Sequence, residues 1–514
     1  MRSTAGLQLS IVIPVYNNWW LTERCLHALN ELRERSVVAF ETIVVDNASS
    51  DETPVEIARF PWVRYLRHEQ NRNFGGACND GAAMAGAPLV LFLNNDAYPI
   101  DDALAPLVRA FDRPGVAIAS GALLYEDGVT QDAGMVVLPN AHWHHSYRNL
   151  PSSLPAVRES RDALAAGGAA MVVRTQWFRD LDGFDETFVN GFEDIDLSLR
   201  ARRDGRIISY VGDAIFAHYE GASEGRFARE HENERRFYER WSNVMAGLPR
   251  VQRGEVGAIV MRAAKEDALL TAAREDLEDA LRSFGHPVVN DRISPLQRLD
   301  KRFRHAAAVG WFTASNGTPS VTLARDADFA TLRVSGAVDL AVPWLPCASA
   351  SRIEGCVLRR STQPSCETVA VCGDADDAIR GDNVTRVTPE MLLGRGDPID
   401  VACVVHIGLT DDAGFGNVLL AQAGIPVVAL DRPELRAIFS EDVALFANAD
   451  NIETAVQRFV KDVSLREKYG QRVAADASRR FSPRRTAIRV VDLLCAARFG
   501  LERPGKARSD SPLR

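Results

Sequence analysis

The 514-residue chain lacks several features, and each absence narrows what it can do. No apolar run approaches the roughly 20 residues that a membrane-spanning helix needs. A basic excess is missing too. The chain has 60 Lys and Arg against 69 Asp and Glu, a net charge of -9, which argues against a nucleic-acid binder held by phosphate contacts. Met1 to Leu9 carries no apolar segment ahead of a cleavage site, so export by that route is not expected. The eight cysteines form no metal-type CxxC pair. Cys347, Cys356, Cys366 and Cys372 are spaced too loosely for a zinc site, and all read as reduced thiols. No fixed-period repeat is visible. What is present is an ordinary globular composition, 46% hydrophobic, 25% charged and 8% aromatic, at a length of two or three domains. These limits point to a cytoplasmic, multidomain enzyme.

The first half alternates short apolar runs with amphipathic stretches. Leu9–Val15, Glu41–Val45, Val63–Leu66 and Leu89–Leu93 read as strands, and Trp20–Arg35 and Gly75–Met84 as helices. That alternation predicts βαβ units and a parallel α/β sheet, whose ligands gather at the carboxyl ends of the strands. A charged, helical stretch over residues 227–290 is expected to connect this domain to a second α/β domain. In the second, Val369–Cys372, Val401–Val405 and Ile425–Ala429 are strand-like, and a helix starts at Ile452. The tail from residue 501 is rich in Pro, Gly, Ser, Lys and Arg and is expected to be disordered.

Four polar clusters follow predicted strands: Pro14-Val15-Tyr16-Asn17-Asn18, Asp46-Asn47-Ala48-Ser49-Ser50-Asp51, Asn94-Asn95-Asp96 and Glu193-Asp194-Ile195-Asp196. Asn71-Arg72-Asn73-Phe74-Gly75-Gly76 adds a glycine-rich start to a helix, where backbone can approach a ligand closely. Each cluster alone has a plain explanation as a capped loop, a turn or a solvated helix face. Their order and their placement after strands favour a site.

In this order the clusters resemble family-2 glycosyltransferases of the GT-A fold. The likeness runs from "SIVIPVYNNWWLTERCLHAL" through "VLFLNNDAYP" to "GFEDIDLSLRARRDGRIISYVGDAIFAHYEGAS". It is nearest the bacterial branch of rhamnosyl- and galactofuranosyltransferases that build surface polysaccharides. The resemblance implies a nucleotide-sugar donor, linked to UDP or dTDP, a saccharide or lipid-linked acceptor, and inversion at the anomeric carbon. It also implies Mg2+ or Mn2+, which takes oxygen ligands from one or two carboxylates and the diphosphate.

By the same resemblance, Asp96 and His218 are the metal ligands, with Asn94 at the first position of the family's DxD motif. Asp194 is the general base and Glu193 its neighbour that positions acceptor hydroxyls. Asp46, Pro14 and Tyr16 line the base pocket, while Asn73, Gly75, Gly76, Asn94 and Asn95 meet the nucleotide or its diphosphate. Asp51 is expected to brace its loop and Asp196 to cap or pair with Arg200 or Arg202. Packing of the first helix is favoured over sugar stacking for Trp19 and Trp20. His142, His144 and His145 lack a companion acid in sequence, and their segment reads as a mobile acceptor-side loop.

The stretch from Gly414 to Asp462 resembles the nucleotide-binding half of family-4 GT-B glycosyltransferases. That family's two glutamates are missing: Ala413 precedes Gly414, and Val418–Gly424 holds no acid. The organisation is therefore a GT-A domain over 1–226, a helical connection over 227–290, a degenerate Rossmann-like GT-B-type domain over 291–500 and a tail over 501–514. The rival reading is a non-catalytic scaffold that binds glycan or a partner and keeps only the GT-A shape. A nucleotidyltransferase would want a basic, glycine-rich loop near the first strand, and Pro14–Trp20 has none. Acceptor identity, a homo-oligomer and peripheral membrane contact stay open. For the basic Lys301–His305, a solvated linker is favoured over anionic lipid.

Overall fold

The computed structural model describes residues 6–138, 140–220, 229–250, 259–263, 268–283, 288–290, 307–311, 320–325, 330–335, 337, 340–343, 348–372, 383–407, 414–499 and 501. They fall into two compact units, one within Met1–Arg253 and the other within Gly254–Gly500.

The first unit opens with β1 (Leu9–Val15), α1 (Trp19–Arg35), β2 (Phe40–Asp46), α2 (Thr53–Glu56), β3 (Val63–Arg67), α3 (Asn73–Met84) and β4 (Leu89–Leu93). Next come β5 (Ala97–Ile100), α4 (Leu104–Arg109), β6 (Val116–Leu124), β7 (Thr130–Asp132), β8 (Met135–Val137) and β9 (Trp143–His145). It closes with α5 (Pro155–Arg158), β10 (Arg161–Asp162), β11 (Ala170–Arg174), α6 (Thr175–Asp180), α7 (Glu193–Arg203), β12 (Ile207–His218) and α8 (Glu230–Gly247). The main sheet runs β10-β12-β6-β11-β4-β1-β2-β3, with β5 on β12 and β7 on β6. The continuous apolar runs are fully buried in β1 and β4, as strands covered on both faces require.

Strands β4, β1, β2 and β3 are mutually parallel, as expected, so β1, β2 and β4 deliver Tyr16, Asn47 and Asn94 to one edge. The parallel pattern breaks at β11, which lies antiparallel between β4 and β6 and makes the sheet mixed. Helix α1 buries Trp19, Cys25, Leu26, Leu29 and Leu32 at helical spacing, and Asp51 Oδ2 accepts from Trp19 N at 2.8 Å. Trp19 and Trp20 pack against Phe60 and Tyr219, in agreement with the packing expectation. Helix α3 lies so close to β1 that a Cβ on Gly81 would come 2.3 Å from Val12 Cγ1.

The second unit holds a five-stranded parallel sheet ordered 384–386, 369–372, 403–406, 427–430 and 444–447. It also holds a six-stranded mixed sheet built from strands between Ile259 and Pro343. The expected strand Val401–Val405 is two strands, Ile399–Val401 and Cys403–His406.

The stretch expected as one helical connection over 227–290 is divided instead. Helix α8 packs Phe237, Trp241 and Met245 into the core of the first unit. Ile259–Ala263 and Val288–Asn290 pair as strands in the second unit, with the helix Ala268–Ser283 between them in sequence. The expected loop at His142–His145 also differs: Trp143–His145 forms β9, paired antiparallel with β8. Backbone pairing fixes that segment, which its polar composition did not suggest. Lys301–His305, Ala413 and the tail from residue 502 lie outside the described residues. No described helix is long and apolar enough to cross a membrane.

Candidate active site

The strand ends of the first unit surround a cavity of about 320 Å3. Pro14, Tyr16, Asn73, Asn94, Asn95, Asp96, Glu193, Asp194 and His218 all line it. These residues come from five separate stretches of sequence, and the fold brings them together.

Antiparallel pairing of β12 with β5 sets His218 opposite Ala97, and Tyr219 N donates to Asp96 O at 2.9 Å. His218 Nε2 therefore stands 3.2 Å from Asp96 Oδ1, both side chains almost fully buried. On the ring's far side, Nδ1 is 2.7 Å from Gln131 Oε1, an acceptor. With Nδ1 donating to that acceptor, Nε2 can offer its lone pair to a cation held beside Asp96 Oδ1. Asn94 Nδ2 approaches the same Nε2 at 3.3 Å. A carboxylate oxygen and an imidazole nitrogen side by side, with the ring held from behind, suit Mg2+ or Mn2+. The described residues offer no third His, Cys, Asp or Glu ligand, so phosphate oxygens or water would complete the shell.

Helix α7 starts at Glu193 after Phe192, whose backbone is left-handed at φ 75°. The turn is closed by Gly191 N donating to Glu193 Oε2 at 2.6 Å. Asp194 sits in the helix's first turn, where the dipole favours negative charge. Its Oδ2 accepts from Gly168 N and its Oδ1 from Ile195 N, each at 2.8 Å. Gly168 is closely packed against this carboxylate: a Cβ there would stand 3.3 Å from Asp194 Oδ2, so the carboxylate would have to give by a few tenths of an ångström. Ala169, next in sequence, accepts from Asn94 N at 3.0 Å. One glycine-rich segment thus ties the Asp194 carboxylate to the Asn94–Asp96 turn.

Asp196, two residues further along the same first turn, is fully buried. It accepts from Arg200 Nε at 2.8 Å, Arg240 Nη1 at 2.8 Å and Trp241 Nε1 at 2.9 Å. The expected pairing with Arg200 is present, and the bonds to Arg240 and Trp241 also fasten α8 to α7. Asn233 on α8 bonds both N and O of Val189 and lines the cavity.

Three expected donor contacts lie elsewhere. Asp46 does not line the cavity: it is fully buried and directly opposite Arg67 in the β2–β3 register. Its oxygens take the Ser49 N–H at 2.8 Å, the Tyr65 hydroxyl at 2.6 Å and the Arg67 guanidinium. Burial and that carboxylate push the Tyr65 phenol up to about 12, so it stays a donor. The neighbouring Asn47 lines the cavity instead, and its amide bonds Asn73 O at 2.8 Å. Gly75 and Gly76 face the protein; a Cβ on them would meet Phe184 Cβ at 3.5 Å and Arg72 Cβ at 3.0 Å. Their smallness serves the packing of α3, and Asn71, Asn73 and Phe74 line the cavity.

Gln131, Gly167, Gly168, Asn190 and Asn233 also line the cavity and were not singled out from sequence. Only the Gly167-Gly168 pair carries a readable signal, a flexible dipeptide just before an apolar strand.

Comparison with known proteins bears on this site. Residues 10–181 match the family model described as "Glycosyl transferase family 2". The O-antigen biosynthesis protein RfbC of Myxococcus xanthus is 29% identical over 225 residues, 42% of this chain and 18% of that one. A pre-mycofactocin glycosyltransferase of Mycobacterium tuberculosis is 30% identical over 41% of this chain and 42% of its own. An N-acetylglucosaminyl-diphospho-decaprenol L-rhamnosyltransferase of the same species is 29% identical over 43% of this chain and 80% of its own. This chain spans less than half the length of the first curated relatives it matches. Among solved structures, a mannosyltransferase of Pyrobaculum calidifontis aligns at 18% identity and TM-score 0.34, over 47% of this chain and 65% of that one. The first unit of this chain thus carries, over residues 10–181, a glycosyl transferase family 2 domain.

Proposed function

We propose that the first unit is a metal-dependent, inverting glycosyltransferase of the GT-A type. It moves a sugar from a UDP- or dTDP-linked donor to a hydroxyl of a growing cell-surface polysaccharide or glycolipid. The observation that carries this reading is the pairing of Asp96 with His218 on the same cavity wall system as Asp194.

Asp96 and His218 would hold Mg2+ or Mn2+, which offsets the charge that grows on the departing diphosphate. Tyr16, 38% exposed beside Pro14, offers a ring face to the nucleotide base, and Asn47 offers an amide. Asn73 and Asn94 supply side-chain amides for ribose and phosphate oxygens. Asp194 takes the proton of the acceptor hydroxyl as that oxygen bonds to the anomeric carbon. The bond from that carbon to the diphosphate oxygen breaks on the opposite face, so configuration inverts. Glu193 is held by Gly191 N and shapes the turn that aims Asp194.

The second unit is read as a degenerate GT-B-type module for acceptor or partner binding. Its helix Phe415–Gln422 is buried along its whole length and carries no acid to hold a donor ribose.

The test is a hydrolysis screen of UDP-, dTDP- and GDP-sugars with Mn2+, Mg2+ or chelator. Release of nucleoside diphosphate from one UDP- or dTDP-sugar, lost with chelator, is expected. Turnover of none of them would support the scaffold instead.

A further inference from the structure

Beside Asp194 lies a second pair of titratable side chains that the proposed reaction leaves unused. Successive side chains leave a strand on opposite faces. On β7, Gln131 turns to His218 and Asp132 turns to His145, with Asp132 Oδ1 3.4 Å from His145 Nδ1. Asp132 is 1% exposed, and neither of its oxygens makes a hydrogen bond among the described residues. A buried carboxylate with no compensation costs several kcal/mol, so a charge on His145 is what balances it. Burial alone pushes the His145 imidazolium toward the neutral form, and Arg148 acts in the same direction. Asp132 and, more weakly, Glu220 outweigh them, and the ring's pKa stands above the ordinary histidine value.

The pair is joined to the base through backbone. A Cβ on Gly167 would stand 2.9 Å from Asp132 Oδ2 and 4.0 Å from His145 Cε1, and Gly168 N donates to Asp194. His145 is 30% exposed and lines the same cavity as Asp194. The cavity's remaining charge is acidic: Asp96, Glu193, Asp194, Glu220 and Glu230 line it, and no Arg or Lys does among the described residues. An acceptor carrying a carboxylate or phosphate beside its reacting hydroxyl meets repulsion there. A neutral sugar does not, and its oxygens accept hydrogen bonds from an imidazolium.

We propose that His145, held by the positioning residue Asp132, binds an oxygen of a neutral saccharide acceptor next to the hydroxyl that reacts at Asp194. This rests on the glycosyltransferase reading and deepens it by naming the acceptor class.

The experiment measures donor hydrolysis, in which water replaces the acceptor, together with transfer to a pool of p-nitrophenyl hexosides and the matching hexuronides. The donor is the nucleotide sugar that wild-type protein hydrolyses fastest. Transfer to hexosides and not to hexuronides is expected. His145→Gln should cut transfer at least tenfold more than hydrolysis, through a raised acceptor KM. In wild type the ratio of transfer to hydrolysis should fall as pH rises through the raised His145 pKa. In Asp132→Asn that fall should move to lower pH, a shift that mere loss of fold does not produce. Equal losses of transfer and hydrolysis, an unchanged ratio, or transfer to no hexoside overturns the proposal. Absence of wild-type hydrolysis with every donor instead sinks the glycosyltransferase reading beneath it.

Discussion

Gln131 Oε1 lies 2.7 Å from His218 Nδ1, and this contact decides which ring nitrogen faces Asp96. Removing the acceptor frees the ring to flip or change tautomer. Loss of such an outer partner typically weakens metal binding about 10–100-fold. Gln131→Leu should therefore raise the Mn2+ concentration for half-maximal turnover by that factor, with little change at saturating metal. A Mn2+ titration of donor hydrolysis reads this directly, and an unchanged midpoint would remove Gln131 from the site.

A methyl group at Gly168 would stand 3.3 Å from Asp194 Cβ and Oδ2, so Asp194 would have to give by a few tenths of an ångström. A shift of about 1 Å in a reacting group can cost on the order of 100-fold in rate, and a shift of a few tenths correspondingly less. Gly168→Ala should lower kcat by roughly three- to tenfold, while the thermal midpoint moves by only a few degrees. A kcat within twofold of wild type would show that the segment does not hold the base.

Asp196 gathers three donors from two helices without exposing its carboxylate. Deleting it leaves Arg240 with Asp185 and Arg200 with the Leu181 and Gly183 carbonyls, but strips the buried Trp241 Nε1 of its acceptor, a change that costs about 1–3 kcal/mol. Asp196→Ala should lower the stability of the first unit by that amount in urea unfolding. A loss below 1 kcal/mol would mean α8 is held mainly by Phe237 and Trp241.

In the second unit, His406 is buried at a strand end with Nδ1 accepting from Asn417 Nδ2 at 2.8 Å. Burial pushes its pKa down to about 3. The unfolded chain binds a proton near pH 6.5 and the folded one does not, so stability falls as pH drops below that value. The slope is about 1.4 kcal/mol per pH unit down to the folded pKa. Urea midpoints of the second unit at pH 7 and pH 5 should differ accordingly. His406→Phe should flatten the difference; equal slopes in both proteins would assign the acid sensitivity elsewhere.

Much of the first unit was legible because β1, β2 and β4 are apolar runs followed by polar residues, and parallel pairing carries those polar residues to one edge. The Asp46–Asn47 step shows where reading stopped. Adjacent residues at a strand end face opposite ways, and only the β2–β3 register reveals that Asp46 faces Arg67. Gln131 and His145, the latter read in sequence as part of an acceptor-side loop, could not be matched to His218 and Asp132 for another reason. They sit on β7 and β9, strands of three residues with no periodic signal, and meet their partners across long sequence distances. The antiparallel β11 was likewise invisible, since an apolar run does not encode its direction. In the second unit, the charged helices around Ile259–Ala263 masked that short strand.

The central claim is that Asp194 is the base of a nucleotide-sugar transferase, and its most direct measurement compares binding with turnover in Asp194→Asn. Calorimetric titration of the donor with Mn2+ should give a Kd within threefold of wild type, while turnover falls about 100- to 10,000-fold. Wild-type turnover in that variant would contradict the account.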